Sequence, residues 1–151
     1  MHIRENVKTS VLLNTISKVT SYPLFWILSF TALTAIAAQV TIPAKPVPFT
    51  LQTMMVVLAG AFLGAKNGAY SQVIYLALGA IGLPVFAANP DGLYGIARLI
   101  GPTGGYLLAF PLAAFVTGYF IETYKNYFAV VLTMFIAELL ILGIGVLYLD
   151  L

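Results

Sequence analysis

The chain has 151 residues, 61% of them hydrophobic and only 8% charged, with a mean hydropathy of +0.99. Seven Lys/Arg and five Asp/Glu cannot cover a water-soluble globule, and they supply too little charge for disorder or nucleic-acid binding. The absence of cysteine and the single histidine, His2, exclude a disulfide framework, a thiolate metal site and a cysteine nucleophile.

The charges divide the chain. Uncharged runs fall at 19–44, 46–65, 67–90 and 99–121, and a fifth at 126–149 is broken only by Glu138. Each is about as long as the ~20 residues that cross a bilayer core as a helix. None alternates polar and apolar residues like barrel strands. The expected fold is an all-α integral membrane protein, a bundle of five transmembrane helices. Residues 1–21 form an N-terminal segment, expected to be cytoplasmic, and 22–151 one transmembrane domain.

The first span is expected at Tyr22–Thr41. Residues 22–34 also resemble the apolar part of a signal peptide, with Ala35-Ile36-Ala37 as a cleavage pattern. The long polar lead and the apolar continuation favour a retained helix. Thr31/Ala35 and Thr34/Ala38 place small residues four apart, which lets helix backbones approach closely.

An outer loop follows, Ile42-Pro43-Ala44-Lys45-Pro46-Val47-Pro48-Phe49-Thr50-Leu51-Gln52-Thr53. Three prolines forbid a helix and make it stiff and extended. Val47 and Phe49 suit a cover lying over a pocket; the alternative is a plain connector with a helix cap at Thr50. Thr50, Gln52 and Thr53 bring hydrogen-bonding groups to the start of the second span, Leu51–Ala65. Gly60, Gly64 and Gly68 then recur every four residues, for packing within the bundle or as a docking face for a partner.

The third span is expected at Ala69–Leu83. After it comes a second outer segment dense in glycine and proline. It runs from Gly82-Leu83-Pro84-Val85-Phe86 through Asn89-Pro90-Asp91-Gly92 and Arg98 to Gly101-Pro102-Thr103-Gly104-Gly105-Tyr106. Arg98 is the only arginine beyond the N-terminal segment. It reads either as an interfacial arginine reaching headgroups or as a bidentate carboxylate anchor. Thr103 is a candidate cap for the fourth span, Thr103–Ile121, and the Gly104 and Gly105 amides offer an anion-friendly helix start. A phosphate loop would need a lysine followed by serine or threonine, which is missing.

The fifth span, Tyr127–Leu149, carries Glu138 near mid-bilayer. A carboxylate there is a functional candidate by default. Its alternative is a protonated glutamate bonded to Ser71, Gln72 or Tyr75. Counting Arg4, Lys8, Lys18, Lys66 and Lys125 on one side against Lys45 and Arg98 on the other places the N-terminus in the cytoplasm. The C-terminal Asp150-Leu151 is then expected outside. No catalytic motif or carboxylate pair is found, so an enzyme is not expected.

Three stretches, P-V-P-F-T-L-Q-T at 46–53, Y-L-A-L-G-A-I-G-L-P-V-F at 75–86 and G-P-T-G-G-Y-L-L-A-F-P at 101–111, resemble the BioY biotin-transporter family. Its members are the substrate-binding S components of energy-coupling-factor (ECF) transporters. The resemblance runs from about residue 22 to the end. It implies a six-helix membrane protein in the plasma membrane that captures biotin from outside. Its partners would be a transmembrane coupling protein and a pair of cytoplasmic ATPases, and it implies no cofactor, no metal and no nucleic acid. Biotin joins an apolar bicycle to a carboxylate tail, which suits an aromatic pocket with a few placed polar groups. Phe49, Phe86, Tyr94 and Tyr106 are the expected lining, with Thr103 and Gly104 as further ligand-binding candidates. Arg98 is expected to meet the carboxylate, and Asn89, Gln52 or Glu138 the ureido ring. The family's sixth helix carries a P-G-D…K type motif thought to contact biotin, and nothing here matches it. The expectation is a chain missing that helix, either a fragment or a form lacking part of its site. The competing reading is a non-transporting membrane interaction subunit with a vestigial pocket.

Overall fold

The computed structural model describes residues 13–42, 44, 47–88 and 92–150. Asn89 and the loop residues Pro43, Lys45 and Pro46 lie outside the described residues, as do Arg4 and Lys8. Helix α1, Leu13–Thr20, meets α2, Pro23–Gln39, at an angle of 80°. Pro23 starts α2 because a first-turn proline gives up no hydrogen bond and its ring fixes a helical φ. Two short strands follow, β1 (Thr41–Ile42) and β2 (Phe49–Thr50), paired antiparallel with Thr41 opposite Thr50. The stiff loop is thus the turn of a small hairpin.

Helix α3, Gln52–Leu63, and α4, Ala65–Ala80, are separated by Gly64 alone. The expected turn over 66–68 is compressed into this one residue and moved ahead of Ala65. Its φ of 84° is open to glycine without strain, and the Glu122 carboxylate accepts the freed Ala65 N–H at 3.0 Å. The short helix α5, Ile96–Ile100, has no counterpart among the expected elements. The fourth span divides into α6, Gly104–Leu108, and α7, Phe110–Thr123. Pro111 lacks the N–H that would bond the Leu107 carbonyl, and this loosens the helix at Ala109. Helix α8, Tyr127–Leu149, starts at Asn126, whose side chain accepts from the Ala129 N–H at 2.6 Å.

The five expected spans therefore correspond to α2, α3, α4, the pair α6–α7, and α8. Among the described residues, two helices are long and apolar enough to cross a bilayer, Gly104–Thr123 and Tyr127–Leu149, and the bent pair α1–α2 makes a third. Phe135, Leu139 and Leu147 on α8 are exposed, as lipid-facing side chains are. The protein is an all-α membrane protein.

Helix α7 packs against both α3 and α4, and α8 against α6 and α7. The core joins Val56, Tyr75, Phe110, Ala113, Ala137 and Ile141. Small residues set the spacing. A side chain at Gly60 would strike the Ala114 carbonyl, and one at Gly118 the backbone of Gly64 and Ala65. Gly68 faces Gly60. These glycines pack the bundle from within. Between α2 and α4, Thr31 donates to the Ser71 carbonyl at 2.9 Å and Gln72 Nε2 donates to Thr34 at 3.3 Å.

Candidate functional site

At the end of the bundle holding the hairpin, α5 and the start of α6, the helices part around a cavity of about 330 Å³. That is the lower end of the size range of small-molecule sites, roughly 300–1,000 Å³. The hairpin supplies Val47, Pro48, Phe49 and Thr50, and the first turn of α3 adds Gln52 and Thr53. Arg98 enters from α5, then Thr103, Tyr106, Leu107 and Phe110 from the α6–α7 segment. Glu138 and Leu142 from α8 close the far wall.

Arg98, Gln52 and Thr103 are buried, and Glu138 is half-buried. Arg98 is 3% exposed and lines the cavity, so the headgroup-reaching alternative is excluded. Burial strengthens what a guanidinium offers a carboxylate, since the low dielectric screens the pair less. Gln52 is oriented from behind: its Nε2 donates to the Tyr75 hydroxyl at 2.6 Å, and that hydroxyl donates to the Val85 carbonyl at 3.0 Å. Since Tyr75 spends its proton on Val85, Gln52 must face it with nitrogen. The Gln52 carbonyl oxygen accepts from the Thr50 hydroxyl at 3.5 Å and keeps a second lone pair for a ligand. Glu138 is bonded by the Thr53 hydroxyl, and not by Ser71, Gln72 or Tyr75, which are engaged elsewhere. Thr103 caps nothing with its side chain. Its buried hydroxyl bonds no protein group among the described residues and is available to a ligand.

Six of the expected site residues thus meet at one cavity: Phe49, Gln52, Arg98, Thr103, Tyr106 and Glu138. Phe86 and Tyr94 instead line a second, smaller cavity of about 210 Å³ with Gln39, Pro84 and Leu93. Phe86 packs edge-on against Tyr75, because the bare backbone at Gly79 leaves room for its ring. Gly104 is packed against the Leu99 backbone of α5 and does not face the cavity. Asn89 lies outside the described residues.

Sequence reasoning missed Tyr75, Pro48, Leu107, Phe110 and Leu142. The first four stand inside or beside the stretches quoted above and could have been found there. Leu142 has a weaker signal: it lies four residues after Glu138, hence on the same face of α8. Tyr106 is seated by a notch, since a side chain at Gly145 of α8 would occupy its ring. The arrangement offers one cation, one carboxylate, an amide acceptor and a free hydroxyl around an otherwise apolar chamber. It suits a small, largely apolar molecule with a carboxylate at one end and N–H donors at the other.

A model of the BioY family matches residues 9–151. A probable biotin transporter BioY of Pyrococcus horikoshii is 52% identical over 89 residues, 59% of this chain and 53% of that protein. The biotin transporter BioY of Thermotoga maritima is 48% identical over 119 residues, 79% of this chain and 65% of that protein. The chain spans about half the length of the curated relatives it matches. Among solved structures, the S-component for biotin from an ECF-type ABC transporter superimposes with a TM-score of 0.76 at 32% identity, over 91% of this chain and 74% of that one.

Proposed function

The chain belongs to the BioY family, and from that premise we propose that it captures biotin in the cavity between the hairpin, α5, α6 and α8. It then serves as the substrate-binding component of an ECF transporter in the plasma membrane. In this reading the carboxylate tail pairs with Arg98, and the ureido N–H groups meet the Gln52 oxygen and Glu138. The bicycle lies against Tyr106, Leu107, Phe110 and Leu142. The Thr103 hydroxyl supplies one further donor. Uptake would be driven by a transmembrane coupling protein and a pair of cytoplasmic ATPases, a reading supported by the similarity to an S-component of an ECF-type transporter.

The observation that carries the proposal is the convergence of the buried Arg98 with Gln52 and Glu138 on one apolar chamber. Orientation follows from charge: exposed Lys18, Lys66 and Lys125 sit beside the α1–α2, α3–α4 and α7–α8 junctions, which share the end opposite the cavity. By the positive-inside rule, this supports a cytoplasmic N-terminus and a cavity facing outside.

The test is equilibrium binding of labelled biotin to the chain in lipid nanodiscs. Saturable binding at micromolar biotin or below is expected, and biotin methyl ester should bind at least about 30-fold more weakly through loss of the buried charge pair. Absence of saturable binding in a folded sample would sink the proposal.

A further inference from the structure

Helix α1 lies outside the bundle and takes no part in the site. Placed at the helical repeat, its apolar residues Leu13, Ile16 and Val19 fall within an arc of about 120° that also takes in Thr20, while Asn14 and Lys18 occupy the opposite side and Ser17 flanks Leu13. The apolar arc is uncovered: Leu13 is 62% exposed, Ile16 57% and Val19 45%. The 80° bend to α2 turns α1 almost perpendicular to a membrane-crossing helix. The bend is fastened, because the Trp26 indole donates to the Thr20 carbonyl at 2.8 Å and Ser21 donates to the Lys18 carbonyl at 2.6 Å.

Two further features sit at the same level. Pro23 and Trp26 share a groove with Phe62, Leu63 and Asn67, and Glu122 reaches the Ala65 N–H. The α3–α4 turn and the α7–α8 turn therefore lie at the α1 end. This end carries exposed Lys18, Lys66 and Lys125 against Glu122. It also carries a belt of exposed aromatics: Tyr22, Trp26, Tyr124 and Tyr127. Tyrosine and tryptophan gather where headgroups meet hydrocarbon, and lysines there attract anionic lipid.

We propose that α1 is an interfacial helix, lying in the headgroup layer of an anionic leaflet with Leu13, Ile16 and Val19 turned into the acyl boundary. The bend at Ser21–Tyr22 sets its depth, and Lys18 faces the phosphates. An amphipathic helix binds a leaflet by buried apolar area together with attraction to anionic lipid. This inference is independent of which ligand the cavity holds.

The chain lacks cysteine, so single-cysteine variants report on each position without background. Leu13→Cys, Ile16→Cys, Val19→Cys, Asn14→Cys, Ser17→Cys and Lys18→Cys would each be placed in the full chain, in nanodiscs containing anionic lipid, and reacted with a water-soluble maleimide. Burial against lipid raises a thiol pKa, and one unit cuts the reactive thiolate about tenfold. Leu13→Cys, Ile16→Cys and Val19→Cys should react about tenfold more slowly than Asn14→Cys and Lys18→Cys, with Ser17→Cys between them, and the contrast should shrink when all lipid is zwitterionic. Equal rates at all six positions would overturn the proposal. So would indifference to lipid charge, or protection that appears only after a coupling protein is added, which would mark α1 as a protein-docking helix. Trp26, the only tryptophan, gives a second reading in the unmodified chain. Its emission should be quenched more by lipids brominated near the glycerol than at the chain ends, and the reverse order would overturn the assigned depth.

Discussion

Where α3 turns into α4, helices touch through glycine; at the opposite end, where α5 leads into α6, they part around a cavity. At the packed end Gly60, Gly68 and Gly118 bring backbones together, and the polar groups of the turn are bonded, as in the Glu122–Ala65 contact. At the open end the helical backbone is interrupted at Gly101, between α5 and α6, and Arg98, Gln52 and Thr103 are buried with the cavity between them. A membrane bundle has little hydrophobic drive between its helices, so close packing at one end must hold the molecule together. That leaves the other end free to keep a chamber lined with groups that would be costly to bury without a role.

The sharpest break of this comparison is Arg98→Ala. Removing one partner of a buried charge pair costs about 2–5 kcal/mol, so biotin affinity should fall at least about 30-fold, while the thermal midpoint of the empty protein holds. Arg98→Lys should recover only part of the loss, because lysine cannot offer the planar fork. An unfolded Arg98→Ala protein would instead make Arg98 a structural residue. Gly118→Ala tests the packed end. Its new methyl meets backbone at Gly64 and Ala65, which cannot move aside as a side chain can. A loss of about 1–3 kcal/mol in stability is expected, read as a lower unfolding midpoint, with unchanged affinity in the folded fraction.

The charge spacing of the sequence reaches as far as this comparison but not into it. Lys18, Lys45, Lys66, Arg98 and Lys125 bracket the spans because charge is expelled from the bilayer core, so segment order was legible without coordinates. The α6–α7 division was less so: Pro111 was visible, but a helix tolerates proline in its first turn and breaks elsewhere, and only the neighbours decide. The α3–α4 turn shrank to Gly64 because Glu122, 57 positions from Ala65, satisfies the helix start. A contact across that separation has no local signature. The same holds within the site. Arg98, Gln52 and Glu138 stood out because charge and amide are rare in apolar runs. Phe86 and Tyr94 were as aromatic as Tyr106, and which of them faces the cavity depends on where Gly79 and Gly145 leave room for a ring.

Gly145→Ala carries the comparison across the two ends. Its methyl would meet the Tyr106 ring, a side chain able to swing toward the cavity. The same substitution made in Gly118 should therefore cost stability, whereas here it should cost affinity. A loss of about 1 kcal/mol, roughly fivefold in biotin binding, is expected, with a smaller shift of the midpoint than Gly118→Ala gives. If both glycines behave alike, the open end is no more pliable than the packed one.

Tyr75→Phe asks whether the packed interior orients the site. The hydroxyl fixes the Gln52 amide with its nitrogen turned inward and is itself held by Val85. Without it the amide can rotate and present N–H where the ligand also has N–H. A single neutral hydrogen bond is worth about 0.5–1.5 kcal/mol, so affinity should fall about fivefold. A loss of packing alone would predict the same fall whatever residue stands at position 52. The double-mutant cycle separates the two: if Tyr75 acts through Gln52, adding Tyr75→Phe to Gln52→Ala should change affinity little, because the group it orients is already gone.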